Sequence, residues 1–310
     1  MKSILIVRIG AMGDIIHALP GVASLRKTFP EARITWVVEP RWAGLLTGGG
    51  LVDRIVEFHR HEPATWVGTR AELRREKYDL AVDFQGSIKS ALVSRAAGPR
   101  QLFGYGAGIA RERPASWFYS RPVRTNAKHV VDQGLDLAAA AGASARVEDF
   151  PLPEGAPEGS LPDEPFVLAS PLAGWTSKQW PREYFAQLAR VLRMPLVVNG
   201  APGAVPDIPG AWKHQSGIAG LIHATRSAAL VVGVDSGPVH LAAALGKPGV
   251  AIFGPTDPER NGPRGGDFAV FRQAGAVTTH RRGMEIDASM RAISPEMILN
   301  AMESRMACRA

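Results

Sequence analysis

Short apolar runs rich in valine and isoleucine alternate with helix-length amphipathic segments along the chain, and this alternation limits the possible folds most strongly. Strands separated by helix-length connections cannot pair as tight hairpins, so the pattern predicts parallel sheets with crossover helices. The runs are SILIV, ITWVVE, RIVEF and LAVDF in the first half, then FVLAS, PLVVN, LVVGV and GVAIF in the second half. We therefore expect an α/β protein with two successive parallel-sheet domains.

A segment unsuited to regular structure separates the two series. Residues 150–165 contain five prolines, two glycines and four acidic residues, a composition that breaks helices and strands. The sequence thus predicts domains at 1–150 and 151–310, in keeping with the size at which single cores stop growing. The final segment, from Ser294, has a serine cap followed by proline. This predicted C-terminal helix is a candidate to pack back on the first domain.

The positive charge is unevenly distributed. The chain carries a net charge of +7, and residues 54–128 alone contain 14 basic and 7 acidic residues. Such a region indicates an acidic partner, for example an anionic membrane surface or an acidic sugar, although a solvated surface would also explain it. Nucleic acid is disfavoured, because the arginines are not interleaved with stacking aromatics.

The sequence also bears on location and on disulfides. No apolar run approaches the roughly 20 residues of a membrane helix, and the chain opens on a strand-like run rather than a signal peptide. We therefore expect a cytoplasmic protein. The single cysteine, Cys308, allows neither an intramolecular disulfide nor a cysteine metal site.

The first turn, RIGAMGDIIHALP, offers a candidate catalytic carboxylate. Gly10 and Gly13 are expected to permit a tight turn at the carboxyl edge of the sheet, where ligands bind. Asp14 in this turn is suited to accept a proton from a hydroxyl group, or it serves only to stabilise the helix N-terminus. A dinucleotide fold is the alternative, with Glu39 as the ribose-binding acid. The G-x-x-G spacing and the charge of Asp14 disfavour that alternative.

The segment LVVGVDSGPVHLAAALGKP predicts a phosphate site in the second domain. A buried strand ends before Asp235, Ser236 and Gly237, and Pro238 then begins a helix. Free N–H groups and the helix dipole at such a terminus favour phosphate, and His240 could donate another hydrogen bond. A turn that merely caps a helix is the other interpretation.

Three more loops follow strands of the second domain. In SPLAGWTSKQWPREYF, Lys178 could place its charge near a departing diphosphate, and Thr176 and Ser177 supply hydroxyl groups. A solvated lysine is the simpler explanation of this loop. Gly200, in NGAP, could let the backbone approach a nucleotide. The loop FGPTDPERNGPRGG lies at the same predicted edge.

Together, these segments resemble the bacterial lipopolysaccharide heptosyltransferases, and most closely the heptosyltransferase I type. The resemblance spans nearly the whole chain and depends on the order and spacing of several motifs. They are MGD-x-x-H-x-L-P from Met12, WVVE from Trp36, YD-x-x-x-D-x-QG-x-x-KS from Tyr78, ARE from Ala110 with FY at Phe118, K-x-WP from Lys178, VD-x-G-x-x-H from Val234 and GPTDP from Gly254.

The resemblance implies a GT-B fold, with two Rossmann-like domains and an interdomain cleft. It also implies transfer of L-glycero-D-manno-heptose from ADP-heptose to the inner Kdo of Kdo-lipid A, with inversion at the anomeric carbon. A heptosyltransferase II type enzyme, which adds the second heptose, is the nearest alternative. A dinucleotide-binding oxidoreductase and a non-catalytic anion-binding protein are the others.

The resemblance further assigns roles to residues. Asp14 would be the general base, and Gly13, Arg60 and Arg111 would contact the acceptor. The donor would be held by a larger set, namely Thr176, Ser177, Lys178, Gly200, Asp235, Ser236, Gly237 and His240. No metal or cofactor is implied. The enzyme is expected to be a monomer, peripheral on the cytoplasmic face of the anionic inner membrane.

The sequence departs from the family at two places. After NGAP the family has an acidic residue at the donor ribose, whereas this chain has Gly203, Ala204 and Val205. The segment between His59 and Tyr78 is short, so only Arg60 is assigned there.

Overall fold

The computed structural model describes residues 1–279 and 283–307, so Cys308 lies outside the described part. The chain divides into two compact units, Met1–Pro153 and Glu154–Ala310. The sequence places this boundary at 150. Among the described helices, none has the length and apolarity needed to cross a membrane.

The first unit is built on a six-stranded, wholly parallel sheet with strand order β3-β2-β1-β4-β5-β6. Its strands are β1 Ser3–Val7, β2 Arg33–Val38, β3 Arg54–Glu57, β4 Leu80–Asp83, β5 Gln101–Tyr105 and β6 Arg121–Val123. Its helices are α1 Met12–Thr28, α2 Thr65–Leu73, α3 Ile88–Ala96 and α4 Val130–Ala140, with 3₁₀ turns at Pro40–Leu45 and Arg113–Phe118. The predicted α/β class is confirmed in this unit.

Burial explains why the central strand β1 is apolar after Ser3. Every residue of β1 is buried, because helices cover both faces of a parallel sheet. Helices α1 and α4 pack together, whereas α3 packs against α2 and the sheet. The strand order reverses between β1 and β4, where Val7 pairs with Asp83. Ligands of open α/β sheets bind at such a switch point.

The sequence interpretation is wrong at one crossover. A helix-length segment was expected after every strand, but β2 is followed only by the 3₁₀ turn Pro40–Leu45. Strands β5 and β6 were not anticipated. Pro122 is tolerated in β6 because that strand lies at the sheet edge, where one missing N–H costs little.

The second unit repeats the architecture, with strand order β12-β11-β10-β7-β8-β9. Its strands are β7 Val167–Ser170, β8 Leu196–Gly200, β9 Trp212–Gln215, β10 Leu230–Val234, β11 Gly249–Phe253 and β12 Phe268–Arg272. Its helices are α5 Arg182–Val191, α6 Ile218–Ser227, α7 Gly237–Ala244, α8 Pro258–Asn261, α9 Ala288–Arg291 and α10 Pro295–Ala307, with a 3₁₀ turn at Thr176–Lys178. The switch point lies between β7 and β10.

The C-terminal helix α10 packs against α5 and β11, which both belong to the second unit. Its side chains Ile298 and Met302 are fully buried in that unit's core. The Oγ of Ser294 accepts a hydrogen bond from the Met297 N–H at 3.4 Å, as the sequence predicts for a capping serine.

The segment between the two sheets has no helix or strand, but from Glu154 onward it is fastened to the second unit. The Glu158 carboxylate accepts a hydrogen bond from the Gly217 N–H at 2.5 Å, at the N-terminus of α6. The Glu158 carbonyl contacts Nε2 of the buried His214 at 2.7 Å. The Trp212 indole donates to the Ser160 carbonyl at 2.9 Å. These contacts explain why the division falls at Pro153.

A buried carboxylate at the end of β4 organises the switch point of the first sheet. Asp83 accepts hydrogen bonds from the backbone N–H groups of Gln85 and Gly86, at 2.8 and 3.3 Å. It also accepts from the hydroxyls of Ser90 and Tyr119, each at 2.8 Å. Burial raises the pKa of Asp83, and these four donors act in the opposite direction.

Gly104 makes room for one of these donors, because a Cβ at this position would overlap the Tyr119 ring. We expect Gly104→Ala to displace Tyr119 and lower the free energy of unfolding by about 1–3 kcal/mol. Urea denaturation measures the change. The matched control is Gly108→Ala, because a Cβ at Gly108 has no neighbour within 4 Å. Equal stabilities of the two variants would contradict this account of Gly104.

Candidate active site

The loop after β1 carries Asp14 in the first turn of α1. One carboxylate oxygen lies 2.7 Å from a guanidinium nitrogen of Arg8 and accepts a hydrogen bond from the Ala11 N–H at 3.2 Å. The Asp14 side chain is nevertheless 41% exposed. Asp14 therefore stabilises the N-terminus of α1, one of the two roles considered for it from the sequence. Its carboxylate is still presented to solvent.

The residues that follow β4 hold Arg8 and the start of its loop in place. Its guanidinium donates to the Phe84 carbonyl at 3.0 Å, and the Gln85 side-chain oxygen accepts from the Ile9 N–H at 2.9 Å. Because the Gln85 N–H is bonded to Asp83, a continuous set of hydrogen bonds connects the buried hub to the loop of Asp14. Sequence reasoning missed Arg8 and Gln85 as positioning residues.

The glycines of this loop act differently from the prediction. Neither Gly10 nor Gly13 has a positive φ, so the turn does not require the left-handed backbone that glycine favours. A Cβ at Gly10 would lie 3.2 Å from the indole nitrogen of Trp42 and 3.3 Å from a carboxylate oxygen of Glu39. A larger residue at position 10 would therefore crowd the side chains of Trp42 and Glu39. Gly13 is half-buried in the first turn of α1.

Glu39, the candidate ribose-binding acid, is buried and engaged with arginines. One carboxylate oxygen lies 2.7 Å from Arg60 and the other lies 3.0 Å from Arg41. The ion pair with Glu39 neutralises part of the guanidinium charge of Arg60, the predicted acceptor ligand, whose side chain is about one-third exposed. The structure thus brings Arg60 to the carboxyl end of β2, beside Gly10.

Arg111 is exposed and follows a tight loop near Gly86. Gly86 has φ of +69°, and a Cβ there would lie 3.2 Å from the Arg111 backbone nitrogen. The positive φ favours glycine, and a Cβ would also crowd the Arg111 backbone. The adjacent Glu112 accepts a hydrogen bond from the Ile88 N–H at 2.9 Å, which fixes the loop against the N-terminus of α3.

In the second unit, the predicted donor residues Lys178, Asp235 and His240 form one buried group. The Lys178 ammonium lies 2.5 Å from one carboxylate oxygen of Asp235, and the His240 Nε2 lies 3.4 Å from the other. The Lys178 ammonium also lies 4.9 Å from the centroid of the Trp175 indole ring, a distance typical of a cation–π interaction. The sequence selected these residues singly but did not predict that they pair.

The electrostatics of this group favour an ionised carboxylate. Burial opposes ionisation of Asp235, but the hydrogen bond with His240 and the charge of Lys178 outweigh it, and the pKa of Asp235 falls below its ordinary value. A buried negative charge is unsuited to touch phosphate directly. Asp235 therefore orients Lys178 and His240, which changes the role that the motif suggested for it.

Helix α7 begins at Gly237 directly after this group, and no side chain caps its first turn. The hydroxyls of Ser170 and Ser236 lie 3.1 Å apart, so the ends of β7 and β10 meet at the switch point. Gly233 leaves room for this meeting, since a Cβ there would lie 2.9 Å from the Ser170 Cβ. This helix N-terminus is suited to an anion.

Hydroxyl groups lie on the neighbouring loops. Thr176 is exposed, and Ser177 is buried. In the described part of the chain, the Oγ of Ser177 and the Oγ1 of Thr256 are buried without a hydrogen-bond partner. Buried hydroxyl groups without a hydrogen-bond partner are uncommon in folded proteins. Ser170 and Thr256 were missed because single hydroxyl residues leave no pattern in a sequence.

Gly200 has a packing role that the sequence did not suggest. A Cβ there would lie 2.8 Å from the Val205 Cα and 2.9 Å from the Ala204 carbonyl oxygen. The loop that departs from the family therefore folds back over the end of β8. Within residues 1–279 and 283–307, no group of three or more histidine, cysteine or acidic side chains could hold a metal ion.

Comparisons with known proteins identify the family of this chain. The family model described as glycosyltransferase family 9 (heptosyltransferase) matches residues 67–195 and 216–286. Lipopolysaccharide heptosyltransferase 1 of Pseudomonas aeruginosa is 32% identical, over 84% of this chain and 81% of that protein. The chain belongs to glycosyltransferase family 9. Family membership excludes the oxidoreductase and non-catalytic alternatives and makes this protein a heptosyltransferase.

Two further matches complete the comparison. Lipopolysaccharide heptosyltransferase 2 of Escherichia coli K12 is 26% identical, over 97% of this chain and 97% of that protein. The structure of E. coli heptosyltransferase WaaC with ADP-2-deoxy-2-fluoro heptose is 23% identical, with a TM-score of 0.78 over 98% of this chain and 100% of that chain. The predicted GT-B fold is confirmed for this heptosyltransferase.

The buried Asp235 predicts how the stability of this heptosyltransferase depends on pH. Because its folded pKa lies below the ordinary 3.8, the unfolded chain takes up this proton first as the pH falls. The stabilisation is present above about pH 4 and lost below it. We expect Asp235→Asn to cost about 3 kcal/mol at pH 7, and the difference from wild type to shrink towards pH 3.

Urea unfolding of both proteins at several pH values measures this difference. The control is Asp207→Asn, because Asp207 is exposed and its ion pair with Lys213 lies at the surface. Such pairs contribute little, so this variant should follow wild type throughout. A gap between Asp235→Asn and wild type that stays constant down to pH 3 would contradict the proposed ionisation.

Proposed function

We propose that this protein is an inverting glycosyltransferase of lipopolysaccharide core synthesis that moves L-glycero-D-manno-heptose from ADP-heptose to the inner Kdo of Kdo-lipid A. The observation that carries the proposal is the Asp14 carboxylate, exposed to solvent and held by Arg8 beside the switch point of the first sheet. Support for the substrates comes from the relative in Pseudomonas aeruginosa, which is named lipopolysaccharide heptosyltransferase 1.

In the proposed reaction, the oxygen of the acceptor hydroxyl attacks the anomeric carbon of heptose, and Asp14 accepts the proton of that hydroxyl. The bond from that carbon to the diphosphate breaks, ADP leaves with the bonding electrons, and the configuration inverts. General-base catalysis of this kind contributes roughly a hundredfold to ten-thousandfold in rate. The Arg8 ion pair and the bond from the Ala11 N–H fix the carboxylate for that transfer.

The second unit would stabilise the departing ADP. Lys178 has three N–H donors, and its pairing with Asp235 leaves others for the diphosphate. The backbone N–H groups of Ser236 and Gly237, His240, and the hydroxyls of Thr176 and Ser177 would add hydrogen bonds. Removing one such donor typically costs on the order of 2–4 kcal/mol of barrier. Gly200 would contribute only by shaping the neighbouring loop.

The first unit would hold the acidic acceptor. Arg60 and Arg111 can form charge-assisted hydrogen bonds with carboxylate or phosphate, and Gly13 would let the acceptor approach the backbone beside Asp14. Glu39 fixes Arg60 through one ion pair, which leaves further guanidinium donors for the acceptor. These donor and acceptor contacts supply the required charges from side chains, so the proposal assigns no metal or cofactor.

We further propose a monomer that works at the cytoplasmic face of the inner membrane. The net charge of +7 supports attraction to an anionic lipid surface.

A heptosyltransferase II type activity is the second candidate, because the E. coli heptosyltransferase 2 matches nearly the whole chain.

The deciding experiment incubates the protein with ADP-heptose and each of two acceptors, Kdo-bearing lipid A and the same acceptor already carrying one heptose. Mass spectrometry of the products should show one heptose added to the first acceptor and little change in the second. Transfer to the second acceptor alone would instead establish the heptosyltransferase II type activity.

Asp14 can serve as a base, a helix cap or both, and two variants separate these roles. Asp14→Asn keeps an oxygen that can accept from the Ala11 N–H but cannot take a proton, whereas Asp14→Ala loses both functions. We expect both variants to lose roughly a hundredfold or more in kcat, with ADP affinity unchanged in calorimetry. If Asp14→Asn retains turnover, Asp14 is a cap and not the base.

A further inference from the structure

Helices α2 and α3 and the 3₁₀ turn Arg113–Phe118 form one layer on the first sheet. Their inner side chains, including Leu73, Ala91 and Ala115, share a core with β1 residues Leu5 and Val7. Helix α3 contacts both α2 and the 3₁₀ turn. The layer therefore has an inner side packed on strands and an outer side that faces solvent, which we call the outer face.

The outer face exposes several large hydrophobic side chains. Trp117 is 82% exposed and Val67 is 77% exposed, and Ile88 and Leu92 are also exposed. In the first unit, which is described throughout, every other large hydrophobic side chain except that of Met1 is at least partly buried. A largely exposed tryptophan is unusual on the surface of a soluble protein, and several exposed apolar side chains on one layer indicate an interaction site.

Arginines accompany these apolar groups at helical spacing. On α2, Val67 is followed by Arg70 and Arg74, and on α3 Ile88 and Leu92 are followed by Arg95, so each set occupies one side of its helix. All of these arginines are exposed, as are Arg75 and Arg113 near the other elements. The outer face therefore combines apolar and positively charged side chains.

The acidic residues of the layer do not cancel this charge. Glu72 lies 2.8 Å from Arg54, and Glu76 lies 3.7 Å from the same arginine, which belongs to β3. Glu112 keeps its negative charge, because the Ile88 N–H that it accepts at 2.9 Å is neutral, but the five exposed arginines of the layer outnumber it. The excess of basic residues in the segment 54–128 is thus concentrated on surfaces that include the outer face.

We propose that the outer face docks on an anionic lipid bilayer, with the four exposed apolar side chains entering the interface and the arginines contacting lipid phosphates. Tryptophan favours the membrane–water interface, and basic residues near anionic lipid each strengthen binding. A protein partner is less suited to this surface, because its apolar groups are dispersed among arginines rather than joined in one groove. This inference rests on the proposed function in one respect, namely that the acceptor sugar is attached to a lipid.

The location of the outer face fits an enzyme with such an acceptor. Val67 and Ile88 lie in the first turns of α2 and α3, and these helices begin at the carboxyl edge of the sheet. The Lys89 ammonium donates to the Arg60 carbonyl at 2.8 Å, and Glu112 is the neighbour of Arg111. Docking would therefore bring the candidate acceptor arginines close to the lipid head groups.

Flotation with vesicles tests the proposal on the full chain. One set of vesicles contains phosphatidylcholine with about one-third phosphatidylglycerol, and the other contains phosphatidylcholine alone, both without acceptor. We expect wild type to float mainly with the anionic vesicles. Arg70→Gln combined with Arg95→Gln should weaken binding roughly 30-fold, which corresponds to about 1 kcal/mol per arginine. Val67→Ser combined with Trp117→Ser should weaken it at least tenfold.

Matched controls come from the second unit. Val277 is 78% exposed, so Val277→Ser removes an apolar group as accessible as Val67. Arg190→Gln combined with Arg193→Gln removes two exposed arginines. These controls should bind like wild type, and all variants should keep the wild-type melting temperature and ADP affinity.

Insertion has its own signature. Vesicles with brominated acyl chains should quench tryptophan fluorescence in wild type, and Trp117→Phe should remove most of that quenching while binding persists. Absence of vesicle binding by wild type, equal binding to neutral vesicles, or equal losses in the control variants would each overturn the proposal. The vesicles carry no acceptor, so a failed transferase assay would leave this result unaffected.

Discussion

Both sheets depend on a buried aspartate at the end of the strand next to the topological switch point. In the first sheet Asp83 gathers four hydrogen-bond donors without a cationic partner, and burial raises its pKa. In the second sheet Asp235 has Lys178 and His240, and its pKa is lowered. Corresponding strand ends in the two sheets therefore support two kinds of site. Asp83 accepts hydrogen bonds from neutral donors and positions a loop, whereas Asp235 pairs with the Lys178 ammonium.

Much of this architecture could be read from the sequence, since parallel strands covered on both faces are apolar throughout. Strands β1, β10 and β11 occupy the residues that the apolar runs indicated. Strand β6 escaped notice because it is only three residues long and contains Pro122. The sequence also identified Lys178 and Asp235 separately. Their pairing depends on the approach of β7 and β10, which local patterns do not encode.

The glycines show a similar limit. A glycine in a loop suggests a tight turn, but a Cβ at Gly10 would crowd the side chains of Trp42 and Glu39, and one at Gly200 would overlap the returning loop at Val205. Steric exclusion involves residues distant in sequence or side chains whose direction is set by the fold. Glycine motifs thus locate an edge of a sheet more reliably than they reveal what the glycine does there.

The segment before β7 affects how the second unit could be obtained as a separate fragment. A fragment starting at Phe166 would contain every strand of that sheet, yet it would lose Glu158 from the N-terminus of α6 and from the buried His214. An amide and an imidazole would then be left without their native partners. A recombinant fragment that retains the native hydrogen bonds along this edge must begin near Glu154, well ahead of the first strand.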